Sequence, residues 1–193
     1  MNAVLDKRRR RQQGSSLIEV LVTLVILMLG LLGLVGLMLQ SQRSQVESYQ
    51  RVQALVVLQD MVNRINANRK VAACYAFTTA VNGSPYLGSG SALAPACALG
   101  TAEQNARAVQ DMTEWNSLLL GSSEKSSTGD DVGAMLGARG CVSLVAGVYQ
   151  VSVAWQGNGK TAAPPGVNCA TDLYGDEAQR RAISAPVQIA NLS

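Results

Sequence analysis

The sequence contains no histidine among its 193 residues, and its four cysteines include no Cys-x-x-Cys pair. Histidine is the commonest general base in enzymes and a common metal ligand, so its absence argues against both functions. The missing Cys-x-x-Cys spacing argues against a zinc site and against thiol–disulfide catalysis. Acids at 130–131 and 172–177 lack the spacing of an EF-hand and are interpreted as solvated loop residues. The sequence therefore predicts no catalytic residue, no metal site and no cofactor.

Charged and aromatic residues are also scarce, at 15% and 4% of the chain. The formal net charge is +3, from 16 basic and 13 acidic residues. Residues 1–14 hold five of these basic residues and one acid, which leaves 11 and 12 for the remainder and a formal charge of −1 there. No basic patch with interleaved aromatic residues follows, so nucleic acid is excluded as a partner.

A long uncharged apolar run follows the basic residues. From Val20 to Leu39 there are twenty residues without a charge, and Thr23 is the one polar side chain. Twenty helical residues span about 30 Å, the thickness of the hydrocarbon core of a bilayer. The basic residues at 7–11 predict a cytoplasmic N-terminus and a chain beyond Leu39 on the opposite side. A secretory signal peptide would have a shorter apolar core and an Ala-x-Ala step, so a retained anchor is favoured.

The junction between the basic and apolar segments has the sequence Gly-Ser-Ser-Leu-Ile-Glu-Val from Gly14 to Val20. It resembles the processing site of type IV prepilins and pseudopilins, in which prepilin peptidase cuts a basic leader after the glycine on the cytoplasmic face. The resemblance implies cleavage between Gly14 and Ser15, N-methylation of Ser15, and a glutamate at the fifth mature position, here Glu19. Members of the family usually have phenylalanine directly after the cut, where this chain has Ser15.

Looser similarities extend over the rest of the chain. The apolar run itself, Arg139-Gly140-Cys141, the segment 151–156 and the late Cys169 are similar to the PilV-type minor pilins. The resemblance implies a type IV pilin-like α+β fold. In that fold a long N-terminal helix, whose first half spans the membrane, packs on a small C-terminal domain with an antiparallel β-sheet.

Glu19 is the one charged residue between Ser15 and Leu39. An unpaired carboxylate in hydrocarbon is energetically costly, and charged residues in membrane segments usually mark function. After cleavage, Ser15 carries a free amine on the same helix face, four residues away, and the amine of the same or a neighbouring subunit can pair with Glu19. The resemblance implies that this pairing sets the register of subunits during filament assembly. Solvation of Glu19 at the headgroup level is the alternative for a resting monomer.

The helix is predicted to continue beyond the membrane, because positions 40–72 contain neither proline nor glycine. Its apolar residues recur at three- and four-residue steps, and polar residues lie off this stripe. The stripe consists of Leu55, Leu58, Val62 and Ile65, and the residues off it are Arg51, Asp60, Arg64 and Asn68. Four segments follow: a leader (1–14), a transmembrane and assembly helix (15–39), an amphipathic continuation (40–72) and a periplasmic globular domain (73–193).

Residues 73–193 have the length of one small domain. The pattern from Thr101 to Gln104 is that of a capping box and predicts a helix near 101–120, with an apolar face formed by Val109, Met112, Trp115 and Leu119. Alternating apolar and polar residues predict antiparallel strands near 141–156, turning near Gly147, and a last strand near 180–190. Pro186 places that last strand at an edge or at a bulge.

The four cysteines are Cys74, Cys97, Cys141 and Cys169. All follow the apolar run and are therefore predicted to lie in the periplasm, where disulfides form and persist. Three pairings are possible from the sequence. Cys74–Cys97 and Cys141–Cys169 are favoured because each closes a locally continuous segment, and each would stabilise the domain by about 3–4 kcal/mol in the chain-entropy model.

The resemblance implies a structural protein rather than an enzyme. It implies a minor pilin that is inserted in the inner membrane, cut by prepilin peptidase and incorporated in a type IV pilus near its tip, where minor pilins prime assembly. The implied partners are prepilin peptidase, other minor pilins, the major pilin and a tip adhesin. Two alternatives stay open: a minor pseudopilin of a type II secretion system, and a single-span anchor of a periplasmic binding domain, which would keep residues 1–14.

Overall fold

In a computed structural model the described residues are 16–189, and they fall into two compact units that divide between Ser44 and Gln45. The helices are α1 (Leu17–Ala67) and α2 (Ala102–Leu119), and two 3₁₀ segments span Arg69–Tyr75 and Glu177–Gln179. The strands are β1 (Leu87–Gly88), β2 (Arg139–Val145), β3 (Val148–Gln156) and β4 (Arg180–Gln188).

The first unit is the apolar half of α1. Every described residue up to Ser44 is exposed, including the large apolar side chains between Leu17 and Leu39. An 18-residue window of this helix reaches a mean hydropathy of 2.9, so α1 is long and apolar enough to cross a membrane. A helix that is apolar on all sides is stable either inside a protein core or inside a bilayer.

The second unit, called the globular unit below, begins with the remainder of α1. The residues that α1 buries there are Ala54, Val57, Leu58, Met61 and Ile65. Leu58 and Ile65 of the predicted stripe are therefore buried and Val62 is partly buried against the core, whereas Leu55 is 50% exposed. The apolar face is rotated towards Ala54 and Met61, two buried residues that the predicted stripe does not include.

Helix α1 ends at Ala67, before the position near Ala72 that the sequence predicts. The next residue, Asn68, leaves helical geometry and is buried. Its amide Nδ2 donates to the hydroxyl of Tyr75 at 3.2 Å and to the carbonyl of Gln104 at 3.0 Å. These bonds to later segments accompany the turn of the chain into the 3₁₀ segment.

Helix α2 begins with the capping box that the sequence predicts. The Thr101 hydroxyl accepts from the backbone N–H of Gln104, and the Gln104 side chain accepts in return from the backbone of Thr101. Such caps satisfy N–H groups that have no partner inside the helix. The helix buries Trp115 completely, and the indole Nε1 donates to the carbonyl of Val57 at 2.8 Å, which fixes α2 against α1.

The four strands form one antiparallel sheet in the order β1-β2-β3-β4. β2 and β3 are joined by a tight turn at Ala146 and Gly147, both with positive φ, which suits a two-residue hairpin. β4 pairs with β3 without interruption from Arg180 to Gln188, so Pro186 lies in an edge strand and not at a bulge. A long apolar N-terminal helix followed by this sheet confirms the predicted α+β fold class, a layout typical of type IV pilins.

Two disulfides close the globular unit, Cys74–Cys97 and Cys141–Cys169, the same pairs that the sequence favours. They span 23 and 28 residues of sequence. The first joins the 3₁₀ segment after α1 to the chain before α2, and the second joins β2 to the loop before β4.

Removing the second disulfide, by Cys141→Ser together with Cys169→Ser, is expected to lower the free energy of unfolding by about 3–4 kcal/mol, since the unfolded chain regains the entropy of an open loop. Urea unfolding of the full chain in detergent, followed by tryptophan fluorescence, measures the loss. Under reducing conditions, which open both disulfides, the wild type and the double variant should have similar midpoints. Equal stability of the double variant and the oxidised wild type would contradict the prediction.

Candidate functional site at the start of the apolar helix

The residues that the sequence assigns to cleavage and methylation, Gly14 and Ser15, lie outside the described part of the chain. Glu19 lies inside it, in the first turn of α1. Its backbone N–H donates to the carbonyl of Ser16 at 2.9 Å, and the N–H of Val20 donates to the same carbonyl at 3.2 Å. A carboxylate in the first helical turn is favoured by the positive end of the helix dipole.

No ion pair forms between Glu19 and any other residue from 16 to 189. The first basic residue that follows it is Arg43, which lies about 36 Å further along the helix axis. No cation of the described helix can therefore reach the Glu19 carboxylate. A partner must come from the chain before Ser16 or from another molecule.

The other polar side chain of the span, Thr23, is satisfied within the helix. Its hydroxyl donates to the carbonyl of Val20 at 2.8 Å, as hydroxyls in membrane helices commonly do. The two polar groups of the apolar helix thus differ, because the hydroxyl can be placed in hydrocarbon at low cost, whereas an unpaired carboxylate there is costly.

A second polar cluster lies in the globular unit and was not predicted from the sequence. Arg64 contacts Asp60 at 2.6 Å, Asp111 at 3.0 Å and Glu114 at 2.6 Å, so it joins α1 to α2. The pattern had placed Arg64 and Asn68 off the apolar stripe, but the side chain of Arg64 is only 15% exposed and Asn68 is buried. The one local signal for this cluster is the four-residue spacing of Asp60 and Arg64.

The electrostatics of this cluster follow from its burial. Burial opposes the charge of Arg64, but hydrogen bonds to Asp60 and Glu114 overcome this and raise the pKa of Arg64. Burial and then the hydrogen bond from its hydroxyl to Asp111, at 2.6 Å, raise the pKa of Tyr75. Arg64 in turn lowers the pKa of Glu114. These pKa shifts favour the charged forms of Arg64 and Glu114 and the neutral form of Tyr75, and the ion pairs of Arg64 join α1 to α2.

Each residue of the Arg-Gly-Cys motif at the start of β2 has a structural role. The guanidinium of Arg139 lies between the rings of Tyr86 and Tyr174, at 5.4 and 4.8 Å from their centroids. A Cβ added to Gly140 would approach the ring of Trp115 to 2.2 Å, so only glycine fits beneath α2. The cysteine forms the second disulfide.

Acidic residues of the loops have local partners. Asp131 pairs with Lys125, Asp130 accepts from the hydroxyl of Thr128 at 2.7 Å, and Asp176 pairs with Lys160 at 2.8 Å. Across positions 16–189, no group of three histidine, cysteine, aspartate or glutamate side chains is placed to hold a metal ion.

β4 begins with two arginines that bond to carboxylates. Arg180, which is buried, donates to Glu177 at 2.7 Å and to the carbonyl of Val167 at 2.7 Å, and Arg181 donates to Glu47 of α1 at 2.6 Å. The bond from Arg180 lowers the pKa of Glu177. Both arginines thus tie the edge strand to neighbouring segments.

Glu177→Gln is expected to lower the free energy of unfolding by about 1 kcal/mol at neutral pH and to reduce the acid sensitivity of the protein. A carboxyl whose folded-state pKa lies below its ordinary value of 4.5 stabilises the fold above that value and loses this contribution as the pH falls through the folded pKa. Urea midpoints between about pH 6 and pH 3 should therefore fall less steeply in Glu177→Gln than in the wild type. Asp172→Asn, at an exposed acid of the same loop, is the matched control, and equal slopes in all three proteins would exclude the role of Glu177.

Comparison with known proteins identifies one match. Residues 9–35 match the family model of the prokaryotic N-terminal methylation motif, and this range includes Gly14, Ser15, Glu19 and most of the apolar run. No curated protein and no solved structure matches the chain. The motif supports a type IV pilin-like protein, either a pilin or a pseudopilin, and together with the apolar helix it indicates membrane anchoring.

Proposed function

We propose that this protein is a minor pilin of the PilV type, a structural subunit that helps to prime assembly of a type IV pilus and is incorporated in it near the tip. The precursor is inserted in the inner membrane with its N-terminus in the cytoplasm and its globular unit in the periplasm. Prepilin peptidase cuts it between Gly14 and Ser15, and Ser15 becomes methylated. Its partners in the filament are other minor pilins and the major pilin, with a tip adhesin as a further partner.

The observation that carries this proposal is the conjunction of the methylation motif with an unpartnered carboxylate. The motif precedes a helix whose described residues up to Ser44 are all exposed, and Glu19 has no cation within reach among them. Assembly of such helices side by side would cover the apolar surface and bring a cleaved N-terminal amine close to the carboxylate. An ordinary single-span anchor needs neither the motif nor the acid.

The globular unit supports a location outside the cytoplasm. Two disulfides close it, and disulfides persist in oxidising compartments such as the periplasm and the cell surface. The basic residues at 7–11 favour the same orientation, because positive charges remain on the cytoplasmic side of a span.

Mass spectrometry of the membrane-extracted protein, from cells with and without prepilin peptidase, tests the processing step directly. We expect a chain that begins at Ser15, with one added methyl group, only when the peptidase is present. Gly14→Val should remain uncut, and Gln13→Ala, which changes the neighbouring leader residue, should be cut normally. A chain that keeps residues 1–14 in both strains would overturn the proposal and favour the single-span anchor.

A minor pseudopilin of a type II secretion system is the second candidate, since it would share the leader and the apolar helix. The two disulfides and the Arg-Gly-Cys motif favour the pilus. A deletion strain discriminates between the two machines: loss of surface pili supports a pilin, whereas loss of protein secretion with normal piliation supports a pseudopilin.

A further inference from the structure

A cleft of about 420 Å³ opens in the globular unit between α1 and the start of β4. Glu47 and Arg51 of α1 line one side, and the loop with Pro164 and Pro165 lines another. Trp155 of β3 also lines the cleft, although it is only 2% exposed. Charged, apolar and aromatic groups thus converge on a space large enough for a side chain of another molecule.

Two of the three arginines that line the cleft are neutralised by the protein itself. Arg181 Nε lies 2.6 Å from Glu47 Oε1, and Arg180 Nη2 lies 2.6 Å from Glu177 Oε2. These pairs hold the walls of the cleft in place, and neither arginine brings an uncompensated charge to it.

Arg51 is different, because it is exposed and forms no hydrogen bond or ion pair with any residue of the described chain. The nearest acid on the same helix, Glu47, precedes it by one turn and is already bonded to Arg181. Arg51 therefore gives the cleft one positive charge without a partner. A guanidinium presents several N–H donors in a planar fork that matches the two oxygens of a carboxylate.

Trp155 lines the same cleft with its buried side chain. Its indole Nε1 is buried, and no acceptor lies within hydrogen-bond distance of it among residues 16–189. The other tryptophan, Trp115, has its indole bonded to the carbonyl of Val57. Because Nε1 is closed to solvent, Trp155 is a reporter beside the cleft and not a group that binds the ligand.

We infer that this cleft binds a carboxylate side chain of a partner polypeptide, a glutamate or an aspartate, with the guanidinium of Arg51 as its donor. One free positive charge matches one carboxylate, whereas a phosphate monoester brings nearly two negative charges beside the Glu47 carboxylate. Pro164 and Pro165 offer apolar contact to the methylene groups of the ligand. This inference is independent of cleavage after Gly14 and is tested separately from it.

The indole N–H signals of the two tryptophans provide the measurement. The ¹⁵N-labelled full chain in detergent micelles is titrated with acetyl-Gly-Glu-Gly-amide and, in parallel, with acetyl-Gly-Gln-Gly-amide, and Trp155→Phe assigns the signals. We expect the glutamate peptide to move the Trp155 signal in a saturable manner, with the Trp115 signal unchanged. The glutamine peptide, which has the same shape without the charge, should have little effect.

Variants of two exposed arginines distinguish binding of the peptide in the cleft from non-specific electrostatic attraction to the protein. Arg51→Gln is expected to raise the Kd of the glutamate peptide about tenfold, equivalent to about 1.4 kcal/mol. Arg69→Gln, at an exposed arginine that forms no ion pair within residues 16–189, should leave the Kd unchanged. Absence of a saturable shift, equal shifts from both peptides, or equal Kd values for the two variants would each overturn the inference. Tighter binding of the matching phosphoserine peptide would assign the cleft to dianions instead.

Discussion

Replacement of Arg64 by methionine is expected to lower the free energy of unfolding of the globular unit by about 3–5 kcal/mol. Arg64 is the common partner of three carboxylates, and one of them, Asp111, has a side chain that is only 1% exposed. Methionine preserves most of the side-chain length but leaves these acids with a single remaining cation, Arg107, at 3.0 Å from Asp111. Removing one partner of a buried ion pair is costly because the other charge stays buried.

Urea unfolding of the full chain in detergent, followed by tryptophan fluorescence, measures this loss. Arg69→Met is the matched control, since Arg69 is exposed and substitutions at exposed sites usually change stability by less than about 0.5 kcal/mol. Arg64→Met with a stability equal to that of Arg69→Met would show that the cluster contributes nothing net.

Replacement of Glu19 by alanine is expected to reduce incorporation into filaments about tenfold, equivalent to about 1.4 kcal/mol of lost pairing, while leaving membrane insertion intact. This expectation follows from the proposed function. The carboxylate has no cation within reach in the described helix, so the amine of a cleaved neighbour would lose its counter-charge in a medium of low dielectric constant.

Quantitative immunoblots of sheared filaments and of membranes give the incorporated and the membrane-bound fractions. Thr23→Val is the matched control, because Thr23 is also polar and in the same span but bonds within its own helix. Mass spectrometry of the N-terminus should show whether Glu19→Ala is still cleaved, which separates an assembly defect from a processing defect. Normal incorporation of a cleaved Glu19→Ala protein would exclude the register role.

Arg64 and Glu19 both raise the question of which opposite charge stabilises a charged side chain in an apolar environment. Arg64 and Asp111 are charged groups with little access to water, and each has its partners inside the chain. Glu19 has none in the described part of its helix, although the helix around it is apolar on every side. A charge in an apolar membrane segment usually marks function, and for Glu19 the proposed function supplies that role.

The resemblance to type IV pilins implied the correct fold class, whereas periodicity placed single residues less well. The α2 face was predicted well: Met112, Trp115 and Leu119 are buried, and Val109 is partly buried. In α1 the buried face is rotated relative to the predicted stripe: Leu55 is exposed and Ala54 is buried. A small residue carries a weak hydrophobic signal in sequence, yet it is favoured where two elements approach closely. The face of a helix is thus decided by its neighbours as well as by its own pattern.

The sequence by itself determined the features that depend on neighbouring residues. The uncharged run is local, and its length as a helix matches the thickness of a bilayer. The basic segment, the junction at Gly14 and Ser15 and the position of Glu19 are also local, and their interpretation depends on the resemblance to type IV prepilins. The capping box of α2 is local as well.

Only the tertiary structure decided which distant charges meet. Arg64 contacts acids 47 and 50 residues away, and Arg181 contacts Glu47 across 134 residues. Such contacts depend on how α1, α2 and the sheet pack, and no spacing in the sequence specifies them. The same packing leaves Arg51 without an ion-pair partner among residues 16–189, because Glu47, the acid nearest to it on its helix, is already bonded to Arg181 of the edge strand.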